Sequence, residues 1–211
     1  MTLSLLIYGL VVLALLIAEL RQDRRAQYLF KPLAAFGFVI LALQFGALET
    51  VYGKYILAGL IACAVGDVLL LSRKSRKLFM AGMAAFAIGH LGYVFAFLEH
   101  GLMFGTIKNE KPIDLYVSIT LIISGLCAFY FYCKANKNMR LPIVGYAVII
   151  GIMVSASFLT KIDIIIAAIM FAVSDMFVAR DRFIKPSPKN ALLITPLYFG
   201  AQALFALSLS I

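Results

Sequence analysis

The stretch Ala64-Val65-Gly66-Asp67 places a carboxyl group inside a long apolar run, and Gly89-His90-Leu91-Gly92-Tyr93 places an imidazole inside the next one. An ionisable side chain at membrane depth costs about 2.5–3.5 kcal/mol on insertion scales, so it indicates a function and a partner elsewhere in the chain. The partner occurs late, in Ala172-Val173-Ser174-Asp175, which nearly repeats the first motif. We therefore take two aspartates on two helices as the centre of the protein.

The composition identifies the class of protein. Of the 211 residues, 64% are hydrophobic and 14% are charged, whereas soluble domains have roughly 45–50% apolar and about 25% charged residues. Apolar runs of about 18–20 residues recur along the chain, and each is long enough to cross a bilayer as a helix. The sequence therefore predicts an all-α, polytopic membrane protein and excludes a soluble domain.

Eight transmembrane helices are predicted, which form a single domain over residues 1–211. The first apolar run lacks a basic n-region and an evident cleavage site, so we interpret it as a retained span and not as a signal peptide. The predicted spans are residues 2–20, 31–47, 54–72, 78–98, 113–133, 141–159, 162–180 and 190–210.

The basic residues predict the orientation of the bundle. If the spans alternate in direction, fifteen of the nineteen Lys and Arg residues fall on one face, and such residues are enriched in cytoplasmic loops. This face is predicted to be cytoplasmic and both termini to be outside; the net charge of +9 then reflects topology and attraction to anionic lipids, not nucleic acid. The fifteen are Arg21, Arg24, Arg25, Lys31, Arg73, Lys74, Arg76, Lys77, Lys134, Lys137, Arg140, Arg180, Arg182, Lys185 and Lys189; the other four are Lys54, Lys108, Lys111 and Lys161.

Two spacings suggest an internal repeat. The aspartate motifs are 108 residues apart, and Lys31-Pro32 precedes Leu141-Pro142 by 110 residues. Offsets close to half the chain are typical of parallel repeats related by an axis along the membrane normal. We predict that residues 1–98 and 113–211 form such repeats of four spans each.

The depth of the aspartates follows from the helical rise. Asp67 lies five residues before Ser72 and Asp175 five before Arg180, so both are expected roughly 7–8 Å below the cytoplasmic surface. Equal depth on helices of the same direction is what a shared site requires, and it predicts a polar cavity that opens to the cytoplasm and closes in an apolar end. Other polar side chains expected at or below this level are Lys31, His90, Tyr198 and Gln202.

The aspartate pair has two interpretations. In one, the carboxyl groups are structural and hold helices together through Ser, Tyr or Lys partners. In the other, they form an acid and base pair, because two carboxyls close together in a low dielectric do not both ionise easily and one keeps its proton near neutrality. The second carboxylate then orients water or stabilises a positive transition state.

The remaining polar residues narrow the chemistry. His90 and Tyr93 lie one turn apart on an aromatic stripe of one helix face, which fits either a packed core or a functional site. The chain has two histidines, and His100 is expected beyond the end of span 4, so a three-histidine zinc site is not available. No nucleotide-binding or serine-hydrolase motif is present, and we predict no metal and no cofactor. Glu19 is expected to pair with the arginines at residues 21–25 on the surface.

The chain resembles the YhhN family of integral membrane proteins from about residue 28 to residue 206. The resemblance implies an eight-helix membrane hydrolase that cleaves the vinyl ether bond of lysoplasmalogens to a fatty aldehyde and glycerophospho-ethanolamine or -choline. Its partners would be this lysophospholipid and membrane lipids, without nucleic acid or nucleotide. The ordered motifs that carry it are Lys31-Pro32, Gly66-Asp67 with Leu69-Leu70, Phe79 through Phe86 to Gly89-His90 and Tyr93, Ser174-Asp175, and Tyr198 with Ala201-Gln202.

The resemblance makes Asp67 and Asp175 the expected catalytic residues. A vinyl ether is hydrolysed by protonation of an alkene carbon, which gives an oxocarbenium ion that water captures, and a neutral carboxylic acid with a partner carboxylate fits this sequence. Which aspartate is the acid stays open. The cytoplasmic arginines would assist Lys31 in holding the phosphate. The positioning residues expected around the pair are Lys31, His90, Tyr93, Ser174, Tyr198 and Gln202.

Two alternatives remain. The protein could be a proton-coupled transporter of small molecules or lipids, with the repeats as its halves and the aspartates as coupling sites. It could also bind lipid without catalysis. For the hydrolase we expect a bacterial inner membrane, with the active site toward the cytoplasmic side.

Overall fold

Eight long α-helices make up the protein in a computed structural model that describes residues 2–72, 75–104 and 113–210. No strand occurs within these residues, and all eight helices are long and apolar enough to cross a membrane. The prediction of an all-α protein with eight membrane-spanning helices is therefore confirmed. The helices are α1 Thr2–Leu20, α2 Arg24–Gln44, α3 Val51–Leu70, α4 Arg76–Phe104, α5 Ile113–Lys134, α6 Lys137–Ser157, α7 Ile162–Phe183 and α8 Ala191–Leu207.

Several helices extend past the apolar runs that predicted them. Helix α2 begins at Arg24, not at residue 31, because the Asp23 carboxylate accepts a hydrogen bond from the Ala26 backbone N–H at 3.1 Å and caps the first turn. Arg24, Arg25 and Lys31 are therefore helical and do not belong to a loop. Counting apolar residues misses such polar end turns, which also lengthen α4, α6 and α7. Four of the predicted topological charges, Arg73, Lys74, Lys108 and Lys111, lie outside the described residues.

The helix interiors contain prolines without a break in the helix. Pro142 lies in α6 and cannot bond to the carbonyl of Asn138. The Arg76 guanidinium donates to that carbonyl at 3.5 Å. A side chain at the start of α4 therefore satisfies the oxygen that the proline leaves open, as membrane helices require.

Helices α3 and α4 form the tightest pair in the bundle. A Cβ atom built on Gly92 would lie 3.1 Å from both the Cα and the N of Gly59. One built on Gly59 would lie 2.5 Å from the Tyr93 ring. Glycine at these two positions lets the backbones approach and holds the Asp67 helix against the His90 helix.

Aromatic and aliphatic contacts show how the helix ends meet. The starts of α4 and α6 and the ends of α5 and α7 share one cluster that contains Phe79, Phe131, Met139 and Ile143, with Phe183 packed against it. We call this the basic end of the bundle. At the other end Tyr52 of α3 bonds to Ser208 at 2.7 Å, and on the flank the Tyr8 hydroxyl of α1 donates to the Phe199 carbonyl of α8 at 2.7 Å.

Helix neighbours determine where space is left inside the bundle. Helix α2 packs against α8 and α6 packs against α4, while α1 also packs against α8. Helix α5 packs mainly against α6 and also touches α7. The cavity described next is lined mainly by α5, α6 and α7, and the other five helices also contribute residues to it.

Candidate active site

A cavity of about 370 Å³ extends from the basic end deep into the bundle. Its volume is within the range of about 300–1,000 Å³ that small-molecule sites occupy. Most of its lining is apolar. Its deep part is formed by Ile150 and Val154 of α6 and by Phe158, which directly follows α6. The polar and charged residues that line it are Glu19, Lys31, Thr120, Ser124, Tyr146, Ser174, Asp175, Arg182, Thr195, Tyr198 and Asp67.

Asp67 is held by groups from two other helices. Its carboxyl is buried in the last turn of α3, with the residue 2% exposed. The Lys31 ammonium of α2 lies 3.4 Å from Oδ1, and the Tyr198 hydroxyl of α8 donates to Oδ2 at 2.6 Å. Lys31 keeps 22% of its side chain exposed, so it reaches the carboxyl from the cavity mouth. A buried carboxylate with a cation and a donor beside it is stabilised in its ionised form.

Asp175 has a different set of partners. The Tyr146 hydroxyl of α6 donates to its Oδ2 at 2.9 Å, and His90 Nε2 of α4 lies 3.4 Å from the same oxygen. The carboxyl side chain is 13% exposed, whereas the imidazole is fully buried. Asp175 therefore faces the cavity with the imidazole behind it.

The position of one proton follows from the contacts of His90. Its Nδ1 lies 2.6 Å from the Phe86 carbonyl oxygen, which can only accept a hydrogen bond, so Nδ1 carries a hydrogen. In the neutral ring Nε2 is then an acceptor that faces the carboxyl of Asp175. A protonated carboxyl at Asp175 can donate a hydrogen bond to this nitrogen, whereas a carboxylate beside the neutral ring places two acceptors together.

The cavity brings together five of the eight residues predicted for the site, which are Lys31, Asp67, Ser174, Asp175 and Tyr198. The other three lie outside its lining. His90 is behind Asp175, and Tyr93 donates to Gln202 Oε1 at 2.6 Å in the core between α4 and α8. The Ser174 hydroxyl is already used, because it donates to the Phe171 carbonyl of its own helix at 2.8 Å.

Tyr146 and Glu19 are among the cavity residues that were not expected from sequence, and two expectations were wrong. Tyr146 lies nine residues after the start of α6. When its depth is counted from the basic end by the helical rise, as was done for Asp175, the two side chains lie at the same depth. Glu19 does not form a surface pair with the nearby arginines; it lines the cavity, where the Thr195 hydroxyl donates to it. His100 does not lie beyond span 4, because α4 continues to Phe104 and buries it against Tyr52, with ring centroids 5.6 Å apart.

Comparison with known proteins places the chain in a family. The model of the YhhN family matches residues 26–209. The chain belongs to the YhhN family. No solved structure matches this YhhN-family protein.

Three relatives are 25–32% identical to this chain over the residues that align. Lysoplasmalogenase TMEM86A of Bos taurus is 31% identical over 165 residues, which cover 72% of this chain and 64% of the relative. Lysoplasmalogenase TMEM86B of Homo sapiens is 32% identical over 161 residues, covering 74% and 64%. A lysoplasmalogenase of Mycobacterium tuberculosis is 25% identical over 154 residues, covering 72% and 58%. The chain thus spans somewhat less than two thirds of the length of these relatives.

Proposed function

We propose that this YhhN-family protein hydrolyses the vinyl ether bond of lysoplasmalogens and releases a fatty aldehyde and a glycerophospho-base. The observation that carries the proposal is a pair of aspartates with different partners on one largely apolar cavity of a membrane-spanning bundle. The names of the relatives support the choice of substrate. A lysolipid suits this cavity because its single hydrocarbon chain needs apolar surroundings, while its vinyl ether bond lies near the polar headgroup of the lipid.

Asp175 is the proposed general acid. Its carboxyl lies 3.4 Å from the Nε2 acceptor of the neutral His90 ring, an arrangement that suits a protonated carboxyl, and the Tyr146 hydroxyl is in place to stabilise the carboxylate that remains after proton transfer. Asp175 delivers its proton to the alkene carbon remote from the ether oxygen. The double bond becomes a single bond, and an oxocarbenium ion forms at the carbon that bears the oxygen. Such acid catalysis contributes about 10²–10⁴-fold to a rate.

Asp67 is the proposed carboxylate of the pair. The ammonium of Lys31 and the hydroxyl of Tyr198 favour its ionised form, and a negative charge on the cavity wall stabilises the cation by electrostatics. Water attacks the oxocarbenium carbon, and Asp67 takes the proton that the water loses. This division of roles is the one that paired carboxyls have at a glycosidic bond.

Collapse of the resulting hemiacetal restores the initial protonation states of Asp67 and Asp175. Asp67 returns its proton to the glycerol oxygen, which leaves as an alcohol, while the Asp175 carboxylate takes the hydroxyl proton as the carbonyl forms. One water is consumed, and no oxidant or reductant is needed. The active site opens toward the basic end, which we propose to be cytoplasmic, in a bacterial inner membrane.

Isotope labelling of the products tests the proposed reaction. Purified protein in detergent would be incubated with a lysoplasmenyl-ethanolamine in heavy water, and the aldehyde would be reduced immediately to an alcohol for mass spectrometry. We expect one deuterium on the carbon next to the new alcohol carbon. In ¹⁸O-water the glycerophosphoethanolamine should stay unlabelled, because the bond on the vinyl side of the oxygen breaks. Label in the glycerol product, or no aldehyde at all, would contradict the proposal.

A further inference from the structure

The cavity wall includes a carboxyl group that the proposed reaction does not use. Glu19, in the last turn of α1, lines the cavity together with Thr195 of α8. Thr195 is buried, and its hydroxyl donates to Glu19 Oε2. Within the described part of the chain, no lysine, arginine or histidine forms an ion pair with Glu19. An ionised carboxylate accepts about four hydrogen bonds, so Glu19 can accept further donors from a molecule in the cavity.

Position along α8 relates Glu19 to the reacting groups. Thr195 precedes Tyr198 by three residues, so the two side chains share one helix face and lie about 4.5 Å apart along the axis. Tyr198 bonds to Asp67 as Thr195 bonds to Glu19. Because α8 begins at the basic end, Glu19 is anchored slightly less than one helical turn nearer to that end than Asp67.

The structure of a lysoplasmalogen offers one group that fits this position. With the alkenyl chain in the apolar deep part and the vinyl ether between the aspartates, the glycerol lies on the side of the basic end. Its free sn-2 hydroxyl is on the carbon next to the one that carries the vinyl ether oxygen, so this donor lies within a few ångströms of the reacting bond. The phosphate only accepts hydrogen bonds and carries a negative charge, which does not suit a carboxylate. The headgroup nitrogen is farther away, beyond the phosphate.

We propose that Glu19, held by Thr195, accepts a hydrogen bond from the sn-2 hydroxyl of the lysolipid; the proposal rests on the function proposed above. An acyl ester at this position has no hydrogen to donate and places a carbonyl oxygen against the carboxylate. A site that binds a substrate hydroxyl discriminates strongly against an analogue without it, because the polar group of the protein is left unpaired. Glu19 therefore selects lysolipids over plasmalogens that carry an sn-2 acyl chain, and it positions the glycerol relative to Asp67.

A substrate that differs in this hydroxyl alone tests the proposal. Lysoplasmenyl-ethanolamine would be compared with its 2-deoxy analogue, which keeps the vinyl ether, the alkenyl chain and the headgroup. For wild type we expect kcat/KM to be about tenfold to a hundredfold lower with the 2-deoxy analogue. In Glu19→Ala this ratio should fall close to unity because the acceptor is removed, and Glu19→Gln, which keeps one acceptor oxygen, should give an intermediate ratio. A ratio near unity in wild type, or the wild-type ratio in Glu19→Ala, would overturn the role of Glu19.

Two further variants separate this contact from a general effect of charge or packing. Thr195→Val keeps the shape of the side chain but removes the hydroxyl that holds Glu19, so it should lower the ratio in the same direction. Glu49→Ala is the matched control, because it removes an exposed carboxylate outside the cavity lining, and it should keep the wild-type ratio. An equal fall of the ratio in Glu49→Ala and Glu19→Ala would contradict a local contact.

A binding measurement separates the role of Glu19 from the proposed hydrolase. Two radiolabelled lipids with a saturated ether, a 1-alkyl-glycerophosphoethanolamine and its 2-deoxy analogue, cannot undergo the reaction. We expect wild type to bind the first about tenfold or more tightly, and Glu19→Ala to bind the two about equally. If this pattern is found but no vinyl ether is cleaved, the hydrolase fails while Glu19 keeps its role.

The same measurement has two outcomes that would refute the hydroxyl contact whatever the activity. One is that wild type binds the two lipids equally or binds neither. The other is found with 1-alkyl-glycerol-3-phosphate, which has the hydroxyl but no ethanolamine. If Glu19→Ala abolishes a preference of wild type for the ethanolamine and not the preference for the hydroxyl, Glu19 contacts the headgroup nitrogen.

Discussion

Two nearly identical sequence motifs acquire different chemistry from their neighbours. Asp67 lies beside a lysine and a tyrosine, and Asp175 lies beside a tyrosine and a histidine. Charge and hydrogen bonding around a carboxyl determine which protonation state it prefers. The assignment of Asp175 as acid and Asp67 as base therefore depends on the partners and not on the motifs.

The first prediction concerns His90 as a positioning residue for the acid. His90→Gln keeps a polar amide but removes the ring nitrogen that faces the Asp175 carboxyl, so we expect kcat to fall about tenfold to a hundredfold with little change in KM. The measurement is steady-state aldehyde release. His100→Gln is the control, since it alters the other buried histidine of α4, away from the cavity. A parallel rise in KM, or the same loss in both variants, would point to a structural role for His90.

The helical rise predicted much of this neighbourhood from sequence, but not all of it. Depth counting placed Asp67, Asp175 and Tyr198 within reach of one site, and Lys31 at its mouth. It did not identify Tyr146 or Glu19, because a membrane helix that is apolar on most faces carries little signal about which face points inward. Depth follows from the number of residues, whereas rotation about the helix axis depends on packing between helices.

At the scale of elements, the close contact of α3 and α4 is the feature that holds Asp67 and His90 in register. Gly59 and Gly92 lie where the two backbones are closest. Glycine in α-helices otherwise lowers stability, by about 1 kcal/mol relative to alanine. Its presence here is explained by the contact and not by helix formation.

The second prediction concerns this contact. Gly59→Ala would push a methyl group into the Tyr93 ring and the Gly89 carbonyl, so we expect a loss of about 1–3 kcal/mol of stability. Thermal unfolding in detergent would report it as a lower Tm. Gly145→Ala on α6, where no atom lies within 4 Å of the added Cβ, should leave the Tm unchanged or slightly higher. Equal Tm values for the two variants would show that α3 and α4 are not packed as described.

The third prediction concerns the deep part of the cavity on α6. Ile150 lines the cavity, four residues and about 6 Å beyond Tyr146 by the helical rise. Ile150→Phe fills space there, so we expect the preferred alkenyl chain to become shorter while the shortest substrates are cleaved at the wild-type rate. Competition assays with a series of chain lengths would measure this. Ile152→Phe makes the same change on the exposed side of α6 and should have no effect; an unchanged chain-length profile in Ile150→Phe would place the chain elsewhere.

At the scale of the whole molecule, the arrangement of helices agrees in part with a two-repeat origin. Helix α2 packs on α8 as α6 packs on α4, which is the exchange expected of parallel four-helix repeats. The outer helices both pack on the helix that follows them, α1 on α2 and α5 on α6, but they differ in their second neighbour, which is α8 for α1 and α7 for α5. Helices α5, α6 and α7 form most of the cavity lining, so the departure from symmetry is where the substrate would bind. The repeats and the outside position of the termini stay predictions.

The number and order of the spans were predictable because length and apolarity alone decide whether a helix crosses a bilayer. The cavity was not predictable in detail. It depends on α5 lying away from α4, and the apolar surface of α5 suits lipid and protein neighbours equally well. Helix residues such as Ile122, Leu126 and Phe129 are exposed on its outer side, and sequence alone does not distinguish them from Ile123 and Cys127, which line the cavity.

Metal-free chemistry is a separate prediction at this scale. Within the described ranges, no group of three or more His, Cys, Asp or Glu side chains is placed to hold a metal ion. We expect aldehyde release to be the same before and after incubation with a strong chelator. Loss of activity on chelation, restored by an added divalent cation, would show that the two aspartates do not act alone.

The most direct measurement of the central claim is aldehyde release from lysoplasmenyl-ethanolamine by wild type, Asp67→Asn and Asp175→Asn. Asp163→Asn is the control, because it makes the same change in the first turn of α7, outside the cavity lining. We expect wild type and Asp163→Asn to be active, and each cavity variant to lose about a hundredfold or more of its rate while it elutes and unfolds like wild type. A well-folded wild type that releases no aldehyde from any of several vinyl ether lipids would contradict the account, as would full activity in both cavity variants.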